Sequence, residues 1–208
     1  MRESRAIRWW HAAAVAWVTI AAFGLAPRQT CDQPHYRWSV KIDTTLATQR
    51  PIPASIPEIL SRWAPPPLGR DDRCAPRVGR ELSVYAVRGW IRRIERSKDD
   101  GDWHIELTAG PSSPPESCIV AEIPLGDLGA VYRRARAQLD GVVATRRIAR
   151  DGDLKPPLEV WLTGAAFYDG QHRRTTRKHD LTDQGHGRCN SSVRALWELH
   201  PVYAVRKS

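Results

Sequence analysis

His104 and Glu106 stand two residues apart in Trp103-His104-Ile105-Glu106-Leu107, and Glu198 and His200 stand two apart in Trp197-Glu198-Leu199-His200. Side chains two apart on a strand share a face, so each pair would set an imidazole beside a carboxylate. Asp102 lies in phase with the first pair. If two strands bring these pairs together, the histidines and carboxylates could do acid–base work or hold a divalent metal. The plainer reading makes them the solvated outer face of a sheet.

A second candidate is the stretch 171–188. It carries Arg173, Arg174, Arg177, Lys178 and Arg188, offset only by Asp180 and Asp183, with His172, His179 and His186 among them. Guanidinium forks suit phosphate, sulfate or carboxylate polymers; a charged loop is otherwise simply solvated. The three histidines with Cys189 match no zinc spacing, and no Cys-x-x-Cys occurs. Six tryptophans follow residue 26. Trp103 and Trp161 fall in phase with apolar neighbours and are expected in the core. Trp90 and Trp197 neighbour charged residues and are candidate stacking surfaces for bases or sugars. The absence of a phosphate loop, dinucleotide fingerprint, His-Glu-x-x-His or Gly-x-Ser-x-Gly argues against nucleotide-dependent and serine-hydrolase chemistry.

The elements that must position these residues are mainly strands. Leu82 to Ile94 reads as one long strand, with Gly89 marking a bulge or bend. Asp99-Asp100-Gly101-Asp102 is a hairpin turn leading into a strand over 103–107, and Cys118 to Ile123 is a third strand, stopped by Pro124. Asp127 is a plausible N-cap for a helix carrying Leu128, Val131, Tyr132, Ala135 and Leu139 at helical spacing and ending at Asp140-Gly141. Residues 142–157 are basic and poorly patterned. Leu158 to Ala165 is a fourth strand, 169–193 a long polar loop, and 195–200 with 202–205 a fifth strand. Three strands, a helix and two strands is the connectivity of a five-stranded OB-like Greek-key barrel with one helix between strands three and four. An open sheet covered by one helix is the alternative.

Residues 27–79 form a Pro-rich arm, in which each proline fixes φ and removes a donor. Tyr36 to Ile42 alternates like an edge strand, and Ile56 to Trp63 suits a short helix with Pro57 in its first turn. The arm is either a semi-rigid tether or a segment packed on the domain at 80–208. Residues 1–26 place Arg2, Arg5 and Arg8 before an apolar stretch, the pattern of a signal peptide or, uncleaved, a short N-terminal anchor. No apolar run reaches the roughly 18 residues of an ordinary membrane span. All four cysteines follow this segment. An even count in an oxidising compartment implies two disulfides, and the pairs Cys31–Cys74 and Cys118–Cys189 would each staple one region. The chain is therefore expected to be exported, to the periplasm or outside the cell. Its net charge of +9 becomes +7 without residues 1–26, which carry three arginines and one glutamate, and so favours anionic partners.

Four blocks carry a family resemblance: Gly101-Asp102-Trp103-His104-Ile105-Glu106-Leu107, Ile119-Val120-Ala121-Glu122-Ile123-Pro124, Val160 to Asp169, and Leu196-Trp197-Glu198-Leu199-His200-Pro201-Val202. In this order they resemble an exported bacterial family with Gly-Asp-x-His, Ile-Val-Glu-Ile-Pro, Val-Thr-Gly-x-x-Phe-Phe-Asp and Glu-Leu-His-Pro-Val motifs. The resemblance spans about residues 80–206 and implies an OB-like barrel of unassigned activity. It carries over no catalytic residues.

Three functions follow as expectations. The first is an exported, basic OB-like binding module that works without metal or cofactor. Its ligand is an anionic polymer (nucleic acid or acidic glycan) or a protein, met by Arg173, Arg174, Arg177, Lys178, Arg188, Trp90 and Trp197. The second is a metal-dependent, nuclease-like phosphodiesterase, with His104, Glu106, Glu198 and His200 as candidate catalytic residues and Asp102, Glu106, Asp169 or Glu198 on the metal. The third is a structural adaptor tethered by the Pro-rich arm.

Overall fold

Strand alternation puts Ile105 and Leu107 on one side of a strand and His104 and Glu106 on the other. That division organises the computed structural model, which describes residues 32–173 and 186–208. Its elements are α1 (Trp38–Lys41), β1 (Ile52–Ser55), α2 (Ile56–Arg62), β2 (Val84–Arg96), β3 (Trp103–Thr108), β4 (Cys118–Ile123), α3 (Ala130–Val143), β5 (Arg147–Ile148), β6 (Asp153–Tyr168) and β7 (Trp197–Lys207). The fold is mainly β: one mixed, seven-stranded sheet in the order β1-β2-β3-β4-β7-β6-β5, with β2 also pairing β6. Val87, Ile91, Ile105, Leu107, Ala121, Leu162 and Leu199 fill its interior, all fully buried. Each contributes roughly 1.5–3 kcal/mol of transfer free energy, less for the alanine.

The strand count departs from the expected five. β1 adds an edge strand running parallel to β2, from Ile52 beside Tyr85 to Ser55 beside Arg88. Its Pro53 is tolerated because an edge strand need not donate on its open side. The short β5 pairs only with β6. Closure is also uneven. β2 and β6 run together from Val84–Ala165 to Arg93–Asp153, whereas β4 meets β7 only at Val120–Glu198 and Ala121–Leu199.

Other local expectations shift for identifiable reasons. The irregularity in β2 falls between Ile91 and Arg93, not at Gly89. Gly89 serves close packing instead: a Cβ there would sit 2.7 Å from Ile56 Cδ1 and 2.7 Å from Leu107 Cγ. The helix expected from Asp127 begins at Ala130 with Gly129 as N-cap, while Asp127 lies in a separate single turn. It also runs through Gly141 to Val143, which is buried and holds the last turn down. Among the described residues no helix is long and apolar enough to cross a membrane. The N-terminal segment 1–26, Cys31, Arg174, Arg177, Lys178 and His179 lie outside the described residues.

The Pro-rich arm packs on the sheet. The helix expected over 56–63 forms as α2, capped by Ser55, whose side chain accepts from Glu58 N at 3.3 Å. Ile56, Ile59 and Trp63 enter the core at 1% exposure each, and Trp63 meets Trp197 edge-on at 5.3 Å. The expected edge strand over 36–42 is instead the single turn α1, because Tyr36 and Val40 share one buried cluster with Phe167, a spacing of four. Arg37, preceding that turn in the left-handed region at φ 48°, is fully buried. It donates to both Glu81 carboxylate oxygens at 2.6 and 2.8 Å, and to the carbonyls of Ala75, Pro76 and Tyr168. Glu81 also accepts from Val78 N and Tyr168 N. Arg77 bridges the same region, donating to Asp43 Oδ2 at 3.2 Å, Val40 O at 2.7 Å and Ala166 O at 2.9 Å.

Two predictions follow. Arg37→Ala strands a buried Glu81 and is expected to lower unfolding free energy by about 3–5 kcal/mol in urea denaturation, and Arg37→Met with Glu81→Leu by clearly less. Burial opposes the Asp43 charge, but hydrogen bonds from Thr45 and Arg77 outweigh it and hold this carboxyl below its usual range. A depressed folded value stabilises above the unfolded value and is lost as pH falls through the folded one. Asp43→Asn should therefore lower Tm at pH 7, with the difference from wild type vanishing on acidification. A pH-independent difference would contradict this.

Candidate metal centre

The outward face of three strands is built by parity. Ile105 and Leu107 of β3, Ile119, Ala121 and Ile123 of β4, and Trp197 and Leu199 of β7 point into the core. His104, Glu122, Glu198 and His200 occupy the opposite parity. Register then brings them together: His104 pairs with Glu122 across β3–β4, and Glu198 lies beside Val120 across β4–β7. The plainer expectation, a solvated outer face, fails because this face borders a pocket that Tyr36 and Lys41 of the arm close from the other side. Glu122, Glu198 and His200 are buried, and His104 is half-buried.

The hydrogen bonds form one chain. His104 Nδ1 lies 2.9 Å from Glu122 Oε1, and His200 Nδ1 lies 3.0 Å from Glu122 Oε2 and 3.2 Å from Glu198 Oε2. His200 Nε2 faces the wholly buried Asp102 carboxylate at 3.4 Å. Glu198 Oε1 is 2.7 Å from His186 Nε2. Beyond it, Asp169 Oδ2 is 4.0 Å from the same nitrogen and is hydrogen-bonded to His172 Nδ1. Asp169 follows β6 and caps the short turn Gly170–His172, accepting from Gln171 N. His186 is oriented by its other nitrogen, 2.9 Å from Ala195 O. Carbonyls only accept, so Nδ1 carries a proton.

His104, Glu122, Asp169, His172, His186 and Glu198 wall a pocket of about 420 Å³ shared with Tyr36, Lys41 and Arg73 of the arm, and His200 and Asp102 lie behind that wall. Burial opposes the charges on His200 and Glu122, and opposite charges win. His200 is held cationic well above the usual histidine range by Glu122, Asp102 and Glu198, and Glu122 lies well below the usual carboxylate range through His200, His104 and Lys41. Burial likewise opposes the charge on His104, which Glu122 raises, and on Asp169, which His172 holds down to about 2. Burial also opposes the Lys41 charge, and Glu122, Glu198 and Asp169 overcome it. Two groups of ligand atoms fall within 4.8 Å of one another: Asp169, His172 and His186, and Asp102, Glu122 and His200. Both offer nitrogen and oxygen donors, as borderline and hard divalent ions require.

Of the expected site residues, His104, Glu198 and His200 converge here, joined by Asp102 and Asp169. Glu106 does not. It lies further along β3, paired with Arg93 at 3.3 Å and Arg188 at 2.7 Å. Arg188 also binds Asp153 at 2.9 Å, and Arg173 donates to the carbonyls of Pro66 and Leu68, so both hold the fold together. Trp197 is 2% exposed and packs on Trp63 and Tyr168, which removes it as a stacking surface. Trp90 is half-buried with Arg88 over its ring, and Trp161, expected in the core, is half-buried under Arg206. Cys189 is bonded to Cys118, so it cannot ligate with the nearby histidines. No described cysteine is free. Glu122 and Lys41 were not singled out from sequence. The signal for Glu122 was present, a lone acid in Cys118-Ile119-Val120-Ala121-Glu122-Ile123; for Lys41 there was none. Each of the four blocks carrying the family resemblance sends an acid or a histidine into this cluster.

Removing His200 would leave Asp102 and Glu122 buried without their shared cation. His200→Ala in metal-free buffer is expected to cost about 3–5 kcal/mol in urea denaturation, and a loss below 1 kcal/mol would show the two acids compensated elsewhere. No family model, curated protein or solved structure matches the chain.

Proposed function

We propose that this chain is an exported, metal-dependent phosphodiesterase, in which the five-strand circuit β2-β3-β4-β7-β6 is an OB-like barrel carrying a hydrolytic site on its covered outer face. One observation carries the reading: the buried carboxylates Glu122, Asp169 and Glu198 line one polar pocket with His104, His172, His186 and Lys41, and His200 and Asp102 stand behind that wall in the same chain of contacts. Buried carboxylates in such number call for a cation. Asp169, His172, His186 and Glu198 would provide a mixed nitrogen–oxygen set for one divalent ion, with His186 anchored by Nδ1 to Ala195 O so that Nε2, on giving up its proton, is the nitrogen turned to the metal.

Among the described residues the pocket wall carries no cysteine, and its aliphatic hydroxyl is that of Ser97. In this reading water is the nucleophile. Its oxygen forms a bond to phosphorus as the bond from phosphorus to the leaving alcohol oxygen breaks. One water proton passes to a pocket carboxylate, and His104, hydrogen-bonded to Glu122, protonates the leaving oxygen. A phosphodiester and water give a phosphomonoester and an alcohol. Lys41 neutralises phosphate charge, and the basic chain attracts polyanionic substrates.

The binding-module reading loses support from the described cations, since Arg173 and Arg188 are engaged within the fold. The test is hydrolysis of bis-p-nitrophenyl phosphate and of a labelled single-stranded oligonucleotide by the full-length chain with Mn²⁺, Zn²⁺, Mg²⁺ or Ca²⁺, against EDTA. Metal-dependent turnover that falls at least 100-fold in His186→Ala, with circular dichroism unchanged, is expected. Salt-sensitive oligonucleotide binding without cleavage under any of these ions would overturn the enzyme and return the chain to polyanion binding.

A further inference from the structure

We propose that this cluster holds a second divalent cation, between Glu122 on the pocket wall and His200 behind it, joined to the first through Glu198 as a bridging carboxylate. The proposal rests on the metal reading of Asp169, His172 and His186 given above, and adds a separate site to it. Glu198 is the hinge of the argument. Its two oxygens serve opposite sides: Oε1 faces His186 Nε2 at 2.7 Å and Oε2 faces His200 Nδ1 at 3.2 Å. Glu122 stands on the His200 side, with Oε2 3.0 Å from the same Nδ1 and Oε1 2.9 Å from His104.

The second observation is Asp102. It is wholly buried, and neither of its oxygens makes a hydrogen bond among the described residues. His200 Nε2, at 3.4 Å, is its facing group. A carboxylate behind an imidazole, on the side away from the other acids, is how a ligating histidine is oriented and its basicity raised. His200 then offers Nδ1 to an ion shared with Glu122 and Glu198, as His186, anchored by Ala195 O, offers Nε2 to the other. Each ion draws on histidine nitrogen and carboxylate oxygen and shares Glu198, the arrangement by which paired ions roughly 3.5–4 Å apart clamp both oxygens of an in-line displacement. Asp102, Glu122, Asp169 and Glu198 are at most 8% exposed, and two divalent ions would take over the positive charge that the ligating histidines give up on binding them. The donor set contains no thiolate, since Cys118 and Cys189 are bonded to each other, which favours Mn²⁺, Fe²⁺ or Zn²⁺.

The probe is Mn²⁺ added to the EDTA-treated, full-length chain, followed by equilibrium dialysis and electron paramagnetic resonance. Two Mn²⁺ per chain with an exchange-coupled spectrum are expected. His186→Ala should retain one ion with an uncoupled spectrum. Asp102→Asn should weaken one of the two equivalents about 10–100-fold and leave the other unchanged. Glu122→Gln, on the pocket wall, should do the same and serves if the Asp102 variant does not fold. One Mn²⁺ per chain in the wild type, two that remain uncoupled, or unchanged affinity for both ions in Asp102→Asn or Glu122→Gln would each overturn the proposal. Two coupled ions in a chain that cleaves no phosphodiester would defeat the hydrolase reading and leave the second site standing.

Discussion

The structure hangs on one buried ion pair. Arg37 and Glu81 are both fully buried, and removing two charges from water costs several kcal/mol each unless geometry and hydrogen bonding compensate. They do. Arg37 meets Glu81 through both oxygens and three carbonyls, while Glu81 also accepts two backbone amides. Three of those partners, Ala75, Pro76 and Val78, belong to the end of the Pro-rich arm, and one, Tyr168, is the residue before Asp169. The pair thus fixes the path of the arm and the end of β6 together. Lys41 is one turn from Arg37 and enters the pocket because of it.

The same constraint explains why an outer strand face is buried at all. Beneath α1, Phe167 is sandwiched: Arg37 and Lys41 lie over its ring at 5.1 and 5.5 Å, and His200 packs 5.4 Å from it. Gly170 permits the approach, since a Cβ there would stand 2.5 Å from the Tyr36 hydroxyl and 2.9 Å from Leu68 O. On the far side, the Cys118–Cys189 bond fastens the chain just after His186 to β4, and Arg188 ties it to Glu106. Both flanks of the pocket are thus clamped by covalent or ionic links. That rigidity suits the proposed centre, whose residues come from β4, β7 and two connecting segments.

Charge placement divides into two kinds. Arg93, Arg136, Arg173 and Arg188 spend their guanidinium groups on carbonyls and acids of the fold. The pocket's cationic groups are different, since histidines and Lys41 face carboxylates that exceed what the structure needs for packing. In a low-dielectric setting such groups are retained at a cost in stability, and functional sites are where perturbed groups of this kind gather.

Sequence by itself determined the five longer strands, the main helix and the parity of most strand residues, because alternation and helical spacing are local; it missed β1 and β5, read a strand where α1 forms, and set Trp161 on the core face. Asp102, His104, Glu198 and His200 could therefore be nominated as facing away from the core, and the Cys118–Cys189 pair could be named. Parity cannot say whether an outward face meets water or another segment. That was decided by chain distant in sequence: the arm around α1 packs on Phe167 and brings Tyr36 and Lys41 to the pocket, held by Arg37, a charge that in a proline-rich arm reads as solvated. Tertiary closure alone sent Glu106 to Arg188 and not into the pocket, buried Trp197, brought Asp169 and His186 against Glu198, and placed Lys41 among four acids. Desolvation and long-range charge pairing make those choices, and neither is written in local spacing.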